Sequence, residues 1–186
     1  MADDIPSQLE LSKYNMSLIV GWITFADSKA TFLLTIALVG LGASLTSIPD
    51  ATAVCKHYFE ADCNLLAYAI VAIHAAFYGV LLYTIWSLVN IVKPRLAPKS
   101  ERHSWFFFQS MAQLSPDDFQ RFNDTLDPDA KLAQLNDQIY NNSVVARQKY
   151  VDVARSVWLL IIAACLGILA VVPILIAKVI IAVPKA

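Results

Sequence analysis

Asp137–Leu160 reads DQIYNNSVVARQKYVDVARSVWLL, and no Gly or Pro interrupts it. It begins among residues that belong in water and ends by opening an apolar run that reaches Val183. An unbroken helical pattern of this kind predicts one helix that carries a water-facing segment straight into lipid. The preceding Asp127 and Pro128 supply a cap and a first helical position. Within the helix, Leu132, Leu135, Ile139, Asn142, Ala146, Lys149 and Val153 recur at spacings of three and four. That is a heptad seam in which Asn142 and Lys149 hold places that ordinarily take apolar side chains. A lysine in such a seam costs stability unless an anion or a hydrogen-bonding group meets it.

Two further apolar runs, about Ala30–Ile48 and Leu65–Val92, precede this one, at 157–183. A span needs about 20 apolar residues, and each run suffices. Of the 186 residues 58% are hydrophobic and 16% charged, well on the apolar side of ordinary soluble domains. The expected fold is therefore an all-α membrane protein of three transmembrane helices, with long helical extensions into a small cytoplasmic helical lobe. Residues 1–29 form the cytoplasmic N-terminal helix, 49–64 a periplasmic loop, and 93–156 the cytoplasmic lobe. Orientation follows the Lys/Arg bias. Lys13, Lys29, Lys93, Arg95, Lys99, Arg102, Arg121, Lys131, Arg147, Lys149 and Arg155 lie on one side, against Lys56, Lys178 and Lys185 on the other. The start of the chain lacks the basic, short apolar pattern of a cleaved signal peptide.

The first helix shows its own heptad, Leu11, Tyr14, Leu18, Gly21, Phe25, Ser28 and Phe32, after a capping box of Ser7 and Glu10. At its membrane mouth stand Asp27 and Lys29, two apart and so unable to pair with each other. Lys29 can snorkel to headgroups. Asp27 gains nothing from anionic lipid and is expected to pair with Arg155, Lys93 or Arg95, coupling two helices at that depth. Residues 94–127 are irregular and carry the aromatic run Trp105–Phe108. Ser115, Pro116, Asp117 and Asp118 then open a short helix. Cys55 and Cys63 share the outer segment, where an oxidising compartment permits a bridge. His74, near the middle of the second span, reads as an interhelical hydrogen-bonding group or as a polar point on an ion path.

No glycine-rich phosphate loop, nucleophile elbow, HExxH or supported Cys–His pair occurs. Nothing in the chain calls for catalysis, a metal or a cofactor. A net charge of −1 gives no field that recruits nucleic acid.

Three motifs stand in a fixed order around these spans: ADSKA (Ala26–Ala30), WFFFQ (Trp105–Gln109) and LNDQIYNNSVVARQKY (Leu135–Tyr150). In this the chain resembles the transmembrane effectors of Pycsar antiphage systems over nearly its whole length. The resemblance implies an inner-membrane sensor of a cyclic pyrimidine mononucleotide, cyclic CMP or cyclic UMP, made by a partner nucleotide cyclase on infection. Binding would impair the membrane and cause abortive infection.

The chain carries no recognisable cyclic-nucleotide-binding β-roll, so the expected pocket comes from helices and lobe. Lys149 would meet the cyclic phosphate, with Asn142 and Tyr140 on ribose or base. Arg147, Arg95 and Arg102 are further cations, and Trp105 and Phe107 stacking surfaces. Matching the two membrane entries, near Ala30 and Trp158, puts Tyr14 opposite Asn142 and Gly21 opposite Lys149. Three spans do not enclose a wide pore, so a homo-oligomer is expected in the lipid bilayer. The competing readings are a non-signalling membrane scaffold and a small constitutive channel subunit.

Overall fold

The computed structural model describes residues 5–60, 64–93, 111–112, 114–125 and 127–182. The helices among them are α1 (Ile5–Leu45), α2 (Ile48–Glu60), α3 (Asn64–Val92), α4 (Pro116–Thr125) and α5 (Pro128–Ala182). α1, α3 and α5 are each long and apolar enough to cross a membrane. The chain divides into two compact units. The first holds residues 1–28 and 93–151, the second residues 29–92 and 152–186. α5 is one helix of 55 residues, so the passage from polar to apolar sequence is made without a break.

In the second unit the core is built from α1, α3 and α5. Ala30 and Ala37 of α1 meet Phe77, Leu81, Leu88 and Ile91 of α3 and Val153 and Ala163 of α5. Small residues on α1 and α5 let the backbones approach, while α3 supplies the bulk. Gly167 marks a close approach, where a Cβ would lie 3.1 Å from Cε2 of Phe77. Several polar groups in these helices bond within the unit. The Ser87 and Ser156 hydroxyls lie 3.3 Å apart, and the Tyr78 hydroxyl donates to the Ser44 carbonyl at 3.1 Å. Thr84 donates to the Val80 carbonyl of its own helix at 2.7 Å.

The segment expected to be a loop contains helix α2. Its Val54 is buried with Ile70, Ile174 and Ala177, and Ala51, Cys55 and Tyr58 pack beside them. Asp50 in its first turn favours the positive end of the helix, and it pairs with Lys178 of α5 at 2.5 Å. Thirteen residues of mixed polarity are too short a window for periodicity to declare. The pairing of Cys55 with Cys63 lies outside the described residues. Burial pushes the Cys55 thiol up, so it stays protonated at neutral pH.

In the first unit α4 has the expected cap. The backbone N–H of Asp118 donates to Ser115 Oγ at 3.1 Å, and that hydroxyl donates to the Asp118 carboxylate at 2.7 Å. α1 already runs from Ile5, two residues ahead of the Ser7 that sequence grammar suggests as its cap.

The Phe77–Gly167 contact generates a size-swap test. Gly167→Leu should overpack the α3–α5 interface at a cost of about 1–3 kcal/mol, lowering the melting temperature in detergent. Adding Phe77→Ala should recover part of that loss, whereas Phe77→Ala alone should be destabilising.

Candidate ligand-binding and coupling site

Within the first unit, α5 buries Leu135, Gln138, Ala146 and Lys149, and α1 buries Ser12, Ile19 and Ala26. Lys149 is only 5% exposed. A heptad seam is thus present, with its lysine inside it. The anion that meets the lysine is Asp27: Lys149 Nζ donates to Asp27 Oδ1 in an ion pair whose carboxylate side chain is about one-third exposed.

Two other contacts cross the same seam. Ser12 Oγ donates to Asn136 Oδ1 at 3.0 Å, and Asn142 Nδ2 points at the sulfur of Met16 at 3.4 Å. The partners are 124, 126 and 122 residues apart in sequence. A near-constant separation means that α1 and α5 lie parallel here. It also corrects the register inferred from the membrane entries. Met16, not Tyr14, stands at Asn142, and Asp27, not Gly21, stands at Lys149. Aligning the first apolar residues of two helices ignores the polar groups just before them, and a buried ammonium that needs its counter-charge outweighs a shift of a few residues in hydrophobic length.

The seam is polar along one stripe of α5. Gln138 Nε2 donates weakly to Asn142 Oδ1 at 3.4 Å. One turn earlier, Gln134 Oε1 is buried with no hydrogen-bond partner among the described residues. Asn142 and Lys149 are about 10 Å apart along the helix. Of this stripe, the Asn142 carboxamide and the Lys149 ammonium meet α1, at Met16 and Asp27.

Of the other expected residues, Tyr140 and Arg147 are exposed on α5, away from the buried seam. Lys29 and Arg155 are exposed and belong to the second unit. Arg95, Arg102, Trp105 and Phe107 lie outside the described residues. The sequence reading singled out Asp27 and Lys149 separately but did not join them. The available clue was that each was the other's missing counter-charge. Ser12, Asn136 and Gln134 had no signal beyond polarity at helical spacing.

A second concavity, about 410 Å³, lies in the second unit between α2 and α3. Ile48, Ala51, Cys55, Ile70, His74 and Tyr78 are among its lining. His74 Nδ1 lies 2.9 Å from the Ile70 carbonyl, an interaction that needs Nδ1 to carry the proton. Its Nε2 is buried with no partner among the described residues. This wall is too apolar for an anionic ligand. No group of three or more His, Cys, Asp or Glu among the described residues could hold a metal ion.

Fold and site define an all-helical membrane-type protein whose parallel helices hold a buried charge pair. The family model described as Pycsar effector protein domain matches residues 11–177, and the chain belongs to that family of antiphage effectors. No curated protein and no solved structure matches the chain.

The pair should behave as a unit. Asp27→Leu leaves a buried ammonium without its counter-charge and should cost about 2 kcal/mol. The double variant Asp27→Leu with Lys149→Met should recover most of that. Thermal unfolding of the four proteins in detergent measures both, and simple additivity would show that the two side chains do not interact.

Proposed function

We propose that the chain is an inner-membrane antiphage effector that senses cyclic CMP or cyclic UMP and impairs membrane integrity, ending infection with the cell. In this reading the N-terminus and the 93–156 region, which carry most of the Lys and Arg, face the cytoplasm, where a partner cyclase supplies the nucleotide. The effector works as a homo-oligomer. The observation that carries this reading is Lys149, an ammonium buried between α1 and α5 and held by Asp27.

A cyclic mononucleotide has one negative charge on its ring phosphate, and that phosphate competes with Asp27 for the same ammonium. Asn142 is about 10 Å along the helix, within the length of a nucleotide. The 94–110 segment, with Arg95, Arg102, Trp105 and Phe107, completes the base and phosphate contacts. Displacing Asp27 frees α1 from α5. Because both helices continue into the spans, the change of partner at Lys149 is carried toward the membrane as rotation or splaying. Lys29 and Arg155, next along the two helices, hold the membrane mouth.

Calorimetric titration of the purified protein with a panel of cyclic mononucleotides tests the binding half. Lys149→Ala should weaken pyrimidine nucleotide binding at least tenfold, about 1.4 kcal/mol. Unchanged affinity in a folded Lys149→Ala protein places the pocket elsewhere. Dye uptake in cells tests the other half. Asp27→Asn removes the competitor and should both tighten binding and raise leak before any nucleotide is made. A tight-binding Asp27→Asn protein that never leaks would separate the ion pair from the membrane response.

A further inference from the structure

The heptad of α1 that stands out in the sequence is not the one that packs inside the protein. The buried stripe is Ser12, Ile19 and Ala26, whereas Leu11, Tyr14 and Leu18 are 60%, 62% and 39% exposed. Gly21, the next position, faces open space, with nothing within 4 Å of where its Cβ would be. In sequence the register runs on through Phe25, Ser28, Phe32, Thr35, Val39 and Gly42. Large side chains hold one of its two positions, and after Tyr14 small ones hold the other. In a parallel, in-register pair of such faces each large residue meets its own counterpart, and the small layers between let the two backbones approach.

We propose that this face of α1 pairs with the same face of a second copy, in parallel and in register. The proposal rests on the reading of the chain as an oligomeric membrane effector. Three observations select a second copy as the occupant. First, lipid does not reach the early part of the stripe: Leu11 precedes the apolar run by 19 residues, about 28 Å of helix. Second, copies inserted in one membrane run in the same direction at the same depth, so Leu11 meets Leu11 and Leu18 meets Leu18 without any further selection of register. Third, the flanking positions permit self-pairing. In that register Glu10 lies by Asn15 of the other copy and Ser17 by Trp22, so no like charges meet. Glu10 is already neutralised by Lys13 of its own helix at 2.7 Å.

Cysteine coupling in native membranes tests this. With Cys55, Cys63 and Cys165 replaced by Ser, Tyr14→Cys and Leu18→Cys should each oxidise to a disulfide-linked dimer. Val20→Cys is exposed but off the stripe, and should stay monomeric while still reacting with maleimide. Adding Leu18→Glu to Tyr14→Cys should reduce coupling at least tenfold with unchanged helicity by circular dichroism. Equal coupling at position 20 overturns the proposal. So do monomers at all three positions, the result if lipid or the chain's own Trp105–Phe108 run covers the face. Dimers at 14 and 18 in cells that never leak on nucleotide production would keep this interface and remove the proposed function. Leak without coupling would do the reverse.

Discussion

An ammonium buried between two helices must be met by an anion, and where that anion sits decides how the helices lie along each other. In the first unit the apolar part of the α1–α5 seam is modest. Among the described residues Ile19 and Leu135 are its large buried aliphatics, with Ala26, Ala146, Ser12 and Gln138 beside them. A seam of small and polar side chains tolerates a one-turn slip at little hydrophobic cost. The Asp27–Lys149 pair does not, since a slip would strand the buried charge. Register here is a matter of charge, and the Ser12–Asn136 and Asn142–Met16 contacts fall into place around it.

The second unit treats polarity differently. Its hydroxyls bond to one another, back to their own helices or, from Tyr78, to the Ser44 carbonyl, and the ion pair of Lys178 with Asp50 ties α5 to the start of α2. Without an expelled-water driving force between spans, such association relies on close packing of small residues. Ala30, Ala37, Ala163 and Gly167 supply this, while Phe32, Val39, Trp86 and Ile168 point outward. Spans joined through alanines, a glycine and a few neutral hydrogen bonds have little holding them to one arrangement. That suits a protein whose proposed activity is a change in the membrane.

Much of this was legible in sequence. The three apolar runs, the unbroken α5 and the seam position of Lys149 follow from composition and spacing, because lipid and helical period both leave strong marks. The cap of α4 was legible because Ser115, Pro116 and Asp118 form a local pattern that needs no tertiary partner. What failed was partner choice. Leu11, Tyr14 and Leu18 are the conspicuous face of α1, yet Ala26, Ala30 and Ala37 are the residues buried within the chain. Hydrophobicity ranks large residues first, while close helix packing favours small ones. α2 was missed because thirteen mixed residues carry no distinctive period. Asp27 and Lys149 were each flagged as charges in the wrong place, but a sequence gives no distances, and membrane entry put Gly21, six residues before Asp27, opposite Lys149.

The pair also sets what a ligand would have to do. Asp27 is tethered beside Lys149, so its effective concentration there is that of an intramolecular partner, on the order of millimolar or higher. A single phosphate charge merely exchanges one anion for another and gains little. A ligand shifts the equilibrium only by its differential affinity for the two states, so the surplus must come from the rest of the molecule. Asn142, weakly bonded to Gln138 and Met16, is a group whose hydrogen bonding improves if a ribose or base arrives. Charge alone would make the site respond to any cellular phosphate. A charge already occupied by Asp27, beside a carboxamide that is only weakly bonded, makes discrimination depend on the sugar and the base.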